Sequence, residues 1–411
     1  MIIGDGIGIS EFVSRRDRLM EDLDGQVGLV FAGDHGVSLH GIWQPDWNFY
    51  YLTGIRDEPG AVLLLDPRSE DPRRRTILFL KPLNPELEEW DGYRDRITTS
   101  LKSRTGFPSV MRTYQLPRWL TGIARRRGRL ACLHPFSVYD GAASPDLVTF
   151  RKVVERSTGI QILDRTNVLP TMRAIKSRAE LGVMKQAAGA TAAGYAAAAR
   201  AIRPGANERD VQRALERGFT DAGGTGTGYN SIVGAGLNST VLHYNTNNQP
   251  LEDGDVILID AAARVGGYTA DVTRTFPIGG RFSREQREIY DIVLRAMEAS
   301  IRAVRPGVPM HEVEMAARRV IEKAGYGDAF MHGIGHQLGI EVHDSTPDGP
   351  LKAGMVVTIE PGIYLSDRKL GIRIEDDILV TRQGPQNLTA MIPRKAEAVE
   401  AMVRAGRRRG K

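Results

Sequence analysis

The chain is poor in cysteine and lacks the long apolar runs of a membrane protein. Of its 411 residues only Cys132 is a cysteine, which excludes a disulfide framework within the chain and fits a reducing compartment. No run of about 18 apolar residues occurs, so no membrane span is predicted. The N-terminal stretch MIIGDGIGISEFVSRRDRLMEDL has no charged start followed by a long apolar segment, and no signal peptide is predicted. We therefore expect a cytoplasmic protein.

The remaining composition describes an ordinary globular chain. Apolar residues make up 41% and aromatic residues 7%, and the length allows one to three domains with a sizeable core. Part of the net charge of +5 lies in two short basic clusters, at residues 125–129 and 406–411. No nucleic-acid motif accompanies them, so a solvated face and a solvated tail are favoured over binding of nucleic acid.

The chain is predicted to divide into two domains, at residues 1–170 and 175–411, with the boundary between 165 and 177. In the first part strands are predicted at 27–32, 61–66 and 76–81, and a helix at 11–23. This part holds all four tryptophans, and its aromatic stretch WQPDWNFYYLTG (43–54) predicts either core or one wall of a binding cleft. An alanine-rich stretch at 178–201 predicts a long helix that opens the second part.

The stretch DVILIDAAARVGGYTADVTRTF (255–276) predicts a hairpin of two buried strands that contain two aspartates. If the loop centres on Val265 and Gly266, Asp260 lies opposite Asp271, with the Cβ atoms roughly 4.5–5.5 Å apart. Two buried carboxylates at that distance favour an added proton or a cation between them. Two surface aspartates near a turn are the alternative.

A repeat in the second part of the chain predicts that the pair of carboxylates occurs twice. Residues 200–223 align without gaps to residues 302–325, and ten of the 24 positions are identical. Each copy predicts a helix end, an Arg-Pro-Gly turn and a second, amphipathic helix. If the first copy precedes a carboxylate hairpin, the second copy should as well.

The second hairpin is present at residues 356–380, VVTIEPGIYLSDRKLGIRIEDDILV. Centring its loop on Asp367 and Arg368 places Glu360 opposite Glu375. The second part is therefore predicted to consist of two related α+β halves, each of which supplies two facing carboxylates. Four carboxylates that meet between two halves favour a pair of divalent metal ions.

Histidines lie close to these carboxylates in the sequence. His332, His336 and His343 occur in MHGIGHQLGIEVHD, and His243 ends the run TVLHY. The glycines between the first three argue against a helix there, so an extended or looping segment is predicted and the three need not share one ion. Added imidazole would admit Zn²⁺, Co²⁺ or Fe²⁺ beside Mn²⁺.

These motifs resemble a known family of metallopeptidases. LIDAAARVGGYTADVTRTFP, HGIGHQLGIEVHD, TIEPGIY and GIRIEDDILVT are similar to the family of methionine aminopeptidase, aminopeptidase P, prolidase and creatinase. The resemblance implies an α+β protein with a C-terminal pita-bread catalytic domain of two pseudo-symmetric halves, preceded by a smaller α/β N-terminal domain. YYLTGIRDEPGAVLLLD resembles the N-terminal domain of aminopeptidase P and prolidase, which methionine aminopeptidases lack. Many relatives have Asp-Ala-Gly at the first ligand, where this chain has Asp-Ala-Ala, and the extra methyl of Ala262 should be tolerated in a strand.

The resemblance also implies metal ligands. They are Asp260, Asp271, His336, Glu360 and Glu375. Asp260 would bind one ion with both oxygens, while Asp271 and Glu375 would bridge the two ions. His336 and Glu360 would complete the other shell. Because all five ligand types are present, the creatinase reaction is disfavoured.

Catalytic and substrate-binding residues are implied in the same way. Glu360 would act as general acid and base on a bridging water or hydroxide. His243, His332 and His343 would line the pocket and stabilise the tetrahedral intermediate, and His243, His343 and Arg373 would contact substrate.

The implied function is a dinuclear metal-dependent Xaa-Pro aminopeptidase that releases an N-terminal residue from a following proline. A prolidase-type Xaa-Pro dipeptidase shares every ligand and is the alternative. A non-catalytic binding protein on the same fold is a third reading, disfavoured because such proteins typically lose the ligands. The family and the oxygen-rich ligand set favour Mn²⁺, with Zn²⁺ or Co²⁺ possible. A homodimer or homotetramer is expected.

Overall fold

The protein forms two compact units, Met1–Arg173 and Ala174–Lys411. The structure is a computed structural model that describes residues 1, 3–4, 6–34, 43–135 and 142–409, without the side chains of Asp91 and of residues 407–409. Among the residues described, no helix combines the length and apolar character needed to cross a bilayer.

Unit 1 is built on a mixed six-stranded sheet. Its helices are α1 Ile9–Asp22, α2 Trp47–Thr53, α3 Pro85–Asp91, α4 Thr99–Thr105, α5 Leu116–Arg127 and α6 Pro145–Val154, with α7 Val168–Ala174 ending at the boundary. Its strands are β1 Val27–Phe31, β2 Val62–Leu65, β3 Thr76–Leu80, β4 Ser109–Arg112, β5 Arg129–Cys132 and β6 Gln161–Asp164. The strand order is β4-β3-β2-β1-β5-β6, in which β1, β2 and β3 pair antiparallel and the outer strands pair parallel. The predicted helix and three strands are confirmed to within two residues at each end.

The aromatic stretch of unit 1 is mainly core. Asp46 caps α2, since its carboxylate accepts hydrogen bonds from the backbone N–H groups of Asn48 and Phe49. Within the helix the side chains of residues 49–52 are fully buried. Of the two predicted alternatives, core is therefore right for these four residues.

A buried acid makes the stability of unit 1 depend on pH. Burial, followed by the neighbouring charge of Asp57, raises the pKa of Glu58 to about 7. The carboxyl group is therefore neutral at pH 5, and folding loses stability as the pH rises from the unfolded pKa through 7. We expect Glu58→Gln to be more stable than the natural chain at pH 8, by about 2–3 kcal/mol, and nearly as stable at pH 5. Urea unfolding at both pH values measures this. Glu70→Gln, at an exposed position of the same unit, should change neither value, and an equal gain for Glu58→Gln at both pH values would contradict the explanation.

Unit 2 contains the repeat. Its helices are α8 Arg178–Ala201, α9 Glu208–Asp221, α10 Arg284–Ala303, α11 Met310–Lys323 and α12 Ala396–Arg409. Its strands are β7 Gly226–Thr227, β8 Ile232–Ala235, β9 Val256–Asp260, β10 Ala263–Val265, β11 Tyr268–Thr269, β12 Thr273–Pro277, β13 Val356–Ile359, β14 Gly362–Leu365, β15 Leu370–Arg373, β16 Asp376–Leu379 and β17 Gln386–Asn387. In each half a long helix, an Arg-Pro-Gly turn and a second helix precede the hairpin strands, as the repeat predicts. Both turn glycines, Gly205 and Gly307, have positive φ angles of 81° and 89°, which glycine adopts without strain.

The register of the first hairpin differs from the prediction by two residues. Val265 pairs with Tyr268, so the loop is Gly266-Gly267, and Asp260 lies opposite Thr273 instead of Asp271. The φ angles of the two glycines are 53° and 82°, the pair of positive values that a type I′ turn requires and that Val265 would adopt only with strain. Because side chains alternate with a period of two, a shift of two keeps both aspartates on the same face.

The second hairpin has the predicted register. Tyr364 pairs with Gly371, and the flanking strands β13 and β16 continue the same alignment from Ile359 opposite Asp376. Glu360 and Glu375 lie between the two ladders and therefore face each other. Asp260 ends the β9 ladder, whereas Asp271, Glu360 and Glu375 lie in the interruptions of the two hairpins, and all four carboxylates line one cavity.

Candidate metal centre

Unit 2 encloses a cavity of ≈ 440 Å³ between the two hairpins. Every site residue named from the sequence lines it: His243, Asp260, Asp271, His332, His336, His343, Glu360, Arg373 and Glu375. Residues more than 130 positions apart in the chain are thus brought together by the folding of the two halves.

Three of the residues form a compact group of ligand type. Asp271, His336 and Glu375 each present one donor atom, and these atoms lie within 4.8 Å of one another. The Nε2 atom of His336 is 3.5 Å from Asp271 Oδ2 and 3.6 Å from Glu360 Oε1. Two carboxylates and one imidazole at this spacing suit a divalent ion.

The segment that carries His336 is extended, as the glycines predict. His336 accepts a backbone hydrogen bond from Thr358 through its carbonyl, and Ile334 accepts one from Glu360. Gly335 has a φ of 152°, and a Cβ atom there would lie 2.1 Å from the carbonyl oxygen of Thr358, so no larger residue fits. This close approach brings His336 alongside the second hairpin.

The imidazole of His336 is oriented for a ligand role. Its Nδ1 lies 3.0 Å from the carbonyl oxygen of Gln337, which can only accept, so Nδ1 carries a proton. Nε2 then faces the carboxylates, and a backbone carbonyl that accepts from the other ring nitrogen is a usual partner of a metal-binding histidine. Burial opposes the charge on His336, but the hydrogen bond and charge of Asp271 outweigh it and raise the pKa to about 9.

Asp260, the fourth carboxylate of the cavity, accepts hydrogen bonds from two side chains. The Tyr229 hydroxyl donates to Asp260 Oδ1 at 2.6 Å and also contacts Asp271 Oδ1. The buried guanidinium of Arg373 donates to Asp260 Oδ2 at 2.6 Å. Asp260 therefore lines the same cavity as the compact group while its two oxygens are fixed from opposite sides.

The carboxylates are crowded in a way that favours cations. Burial is the main reason that the pKa values of Asp260, Glu360 and Glu375 are all raised, to about 7 for Glu360, and repulsion from Asp271 adds to each. Positive charge from Arg373 opposes this rise at all three. Divalent ions among these oxygens would offset both burial and repulsion, so the donor set fits the metal ions that the resemblance implies.

His332 belongs to a chain of hydrogen bonds. Its Nδ1 is 2.8 Å from the carbonyl of Gly333 and its Nε2 is 2.8 Å from the Tyr364 hydroxyl. Arg373 donates to the same hydroxyl oxygen at 2.8 Å, so the tyrosine proton is directed to His332. Burial and the charge of Arg373 lower the pKa of His332 to about 4, and the ring is neutral at physiological pH. Both ring nitrogens of His332 thus have protein partners, and its implied role in stabilising an intermediate stays a prediction.

The other two histidines lie on the cavity wall. The rings of His343 and His336 are 4.2 Å apart in an edge-to-face arrangement. Burial, followed by the charge of His336, lowers the pKa of His343, which favours the neutral form. His243 lies on the same wall, in the chain between β8 and β9.

Three residues of the site carried no assignment from the sequence. Tyr229 contacts both aspartates, Tyr364 joins Arg373 to His332, and Thr273 donates to Glu375 Oε2 at 2.7 Å. Tyr364 ends the motif TIEPGIY, which resembles the family, and Tyr229 lies 14 positions before His243. The signal that could have identified these residues is a hydroxyl side chain close in the sequence to a predicted carboxylate or histidine of the site.

Comparison with known proteins agrees with this geometry. Residues 182–382 match Metallopeptidase family M24, and residues 12–131 match the N-terminal domain of aminopeptidase P. The Xaa-Pro aminopeptidase of Escherichia coli is 34% identical, over 98% of this chain and 99% of the relative. The Xaa-Pro aminopeptidase of Haemophilus influenzae is 32% identical, over 88% of both chains.

Solved structures are similar along the whole chain. The aminopeptidase PepP of Pseudomonas aeruginosa has a TM-score of 0.88 at 31% identity, covering 98% of this chain and all of its own. Aminopeptidase P of Escherichia coli with the inhibitor Pro-Leu has a TM-score of 0.87 at 31% identity, covering 98% of this chain and 99% of its own. From the carboxylate hairpins, the matched domains and relatives that extend over both units, we conclude that the chain belongs to metallopeptidase family M24 and carries the N-terminal domain of aminopeptidase P.

Proposed function

We propose that the chain is an Xaa-Pro aminopeptidase, which hydrolyses the bond between an N-terminal residue and a following proline. The observation that carries the proposal is the cavity of unit 2, in which four carboxylates and His336 meet beside three further histidines and Arg373. The relatives named Xaa-Pro aminopeptidase support it because their similarity spans both units.

Five side chains would hold the metal ions: Asp260, Asp271, His336, Glu360 and Glu375. Bound divalent ions supply Lewis acidity and lower the pKa of bound water. We favour two Mn²⁺ ions because four of the five ligands are carboxylates, with Zn²⁺ or Co²⁺ as alternatives. Activity of the metal-depleted protein should return most fully with Mn²⁺.

Glu360 is suited to carry the proton. It faces Glu375 from the opposite strand of the second hairpin and lies 3.6 Å from Nε2 of His336, and a carboxylate placed beside a metal-bound water can serve as general acid and base. The departing nitrogen of an Xaa-Pro bond has no hydrogen of its own, so Glu360 would deliver the proton that it needs. The Thr358 hydroxyl donates to Glu360 Oε1 at 3.4 Å.

The remaining polar groups would bind and orient the peptide. His343 and His243 lie on the wall where a substrate carbonyl could accept a hydrogen bond, and donors fixed in advance stabilise developing negative charge. Arg373 keeps Asp260 and Tyr364 in place and contributes positive charge to the cavity. His332 would contribute through Tyr364.

An Xaa-Pro dipeptidase is the second candidate function, because one of the relatives has that activity in its name. The Xaa-Pro dipeptidase of Pyrococcus furiosus is 36% identical, over 54% of this chain and 65% of its own. That match covers little more than half of the chain, whereas the aminopeptidases match unit 1 as well. We therefore prefer the aminopeptidase.

Two hydrolysis assays on purified protein with Mn²⁺ test the proposal. We expect cleavage of Ala-Pro-Ala to alanine and Pro-Ala. Cleavage of Ala-Pro alone would identify a dipeptidase, and cleavage of neither substrate after metal loading would overturn peptidase activity on Xaa-Pro bonds. We also propose that the protein is cytoplasmic and forms a homodimer or homotetramer. Light scattering on the purified chain tests the oligomer.

A further inference from the structure

The segment that carries His243 is a largely irregular stretch of chain beside the cavity. We call residues 236–249 the histidine loop; it joins β8 to the approach to β9. Apart from the 3₁₀ turn Gly236–Thr240, the histidine loop has no regular secondary structure, and Leu237 and Val241 on it are exposed. A turn with a backbone hydrogen bond from the Tyr244 N–H to the Val241 carbonyl surrounds His243, and the rest of the loop is held by contacts outside it.

A buried carboxylate outside the cavity closes this loop. Glu208, the first residue of α9, is fully buried. Its Oε1 accepts from the backbone N–H of Ala235 at 2.8 Å and from Asn238 Nδ2 at 3.0 Å. Its Oε2 accepts from the Tyr244 hydroxyl at 2.8 Å and from the backbone N–H of Gln249 at 2.9 Å. All four lone-pair positions of the carboxylate are used.

These four donors are distributed over the whole histidine loop. Ala235 immediately precedes the loop, Gln249 ends it, and Tyr244 is the direct neighbour of His243. The two residues beside Glu208 add to the same anchor, since Asn207 Nδ2 donates to the carbonyl of Asn248 at 2.8 Å and Arg209 donates to that of Thr246 at 2.5 Å. The start of α9 thus holds both ends of the loop and its centre.

The hydrogen bonds of the Glu208 carboxylate indicate that it holds the histidine loop and not only its own helix. An ionised group is costly to bury unless it is fully hydrogen-bonded, and the N-terminus of a helix favours negative charge. Glu208 meets both conditions, yet it does not line the cavity and cannot touch a substrate there. A simple helix cap would need only contacts within α9, whereas all four donors to Glu208 lie outside that helix.

We infer that Glu208 is a positioning residue for the peptidase reaction, which fixes His243 at the cavity wall by closing the histidine loop. The inference rests on the proposed Xaa-Pro aminopeptidase function. Glu208→Gln keeps the size of the side chain but places an NH₂ group against donors. At least one backbone or side-chain donor then loses its partner, and the loop loosens at the level of Tyr244 or Gln249.

A double-mutant cycle on kcat/KM for Ala-Pro-Ala tests this with Glu208→Gln, His243→Ala and the double variant, all loaded with Mn²⁺. We expect Glu208→Gln to lower kcat/KM by about 10–100-fold, as for other residues that orient a functional group, with unchanged metal stoichiometry. In the His243→Ala background the same substitution should change kcat/KM by no more than about twofold. Equal losses in both backgrounds, or no loss in either, would overturn the inference.

The matched control is Glu180→Gln. Glu180 is also buried at a helix N-terminus and accepts hydrogen bonds from the Tyr268 hydroxyl and the backbone N–H of Ser177, at 2.8 Å each, and neither donor belongs to the histidine loop. Glu180→Gln should change kcat/KM by the same factor in the wild-type and the His243→Ala backgrounds. If Glu208→Gln does not fold, Tyr244→Phe removes one of the four donors and carries the same cycle. If the wild-type protein leaves Ala-Pro-Ala intact, the proposed function is refuted. If the wild-type protein cleaves it but the cycle shows no coupling, only the inference on Glu208 is refuted.

Discussion

Replacing Asp271 with alanine is expected to abolish hydrolysis of Ala-Pro-Ala and to lower the bound metal content. The loss in kcat/KM should exceed the roughly 100-fold that removal of an outer partner of a metal ligand typically costs. Asp271 belongs to the compact group with His336 and Glu375, and its oxygens contact both His336 and Tyr229. No neighbouring side chain can take the place of a carboxylate at this point of the cavity.

The experiment distinguishes loss of the site from loss of the fold. The backbone N–H of Asp271 donates to the carboxylate of Asp377, at 3.2 Å and 3.3 Å, and alanine retains that N–H. Far-ultraviolet circular dichroism should therefore be unchanged while metal analysis shows less metal per chain. Asp367→Ala, at the exposed tip of the second hairpin, serves as the control and should alter kcat/KM by less than about twofold. A fully active Asp271→Ala protein would refute the assignment of five ligands.

Replacing Lys176 with methionine is expected to lower the free energy of unfolding by about 3–5 kcal/mol, the usual cost of breaking a buried ion pair from one side. Lys176 Nζ lies 3.1 Å from Asp344 Oδ2, and both side chains are almost fully buried. The pair is so tightly enclosed that a Cβ atom on Gly339 would lie 2.1 Å from the Asp344 carboxylate. Methionine fills most of the space of the lysine but removes the cation that lies 3.1 Å from the Asp344 carboxylate.

Two further variants make the expectation specific. Adding Asp344→Asn removes the charge and keeps an acceptor for the backbone N–H of Ser345, so the double variant should recover part of the lost stability. The control is Arg217→Met, which breaks an exposed pair with Asp221 of the same unit at 3.6 Å and should cost less than about 0.5 kcal/mol. Urea unfolding of all four proteins gives the comparison. Similar costs for Lys176→Met and Arg217→Met would show that burial is not the cause.

Much of the candidate site follows from the sequence because the repeat constrains it. The second hairpin was predicted with the correct register, since its loop contains no competing turn signal and the strands on either side alternate clearly. The first hairpin was shifted by two residues because the sequence offers two adjacent centres for the turn. Only the positive φ angles of Gly266 and Gly267 decide between them, and the same-face relation of the aspartates holds in either case.

Other contacts are tertiary and leave no periodic pattern. Tyr229 reaches Asp260 across 31 positions, and Tyr364 meets His332 across 32. Neither pair has a spacing that secondary structure enforces, so no rule of local geometry selects these tyrosines. In unit 1, residues 49–52 point in all directions around α2, so their burial requires packing on every side of that helix. The aromatic residues alone are equally compatible with a cleft.

The hydrogen bonds between the two hairpins also set the time at which the site can form in the cell. Thr273 binds Glu375 across 102 positions, and Asp271 binds Asp377 across 106. A ribosome that has just released the first hairpin needs roughly 5–20 s more to synthesise the next hundred residues. During that interval the nascent chain carries Asp260 and Asp271 without the second pair of carboxylates or His336. A metal ion that needs ligands from both hairpins can therefore bind only after the second half has been synthesised.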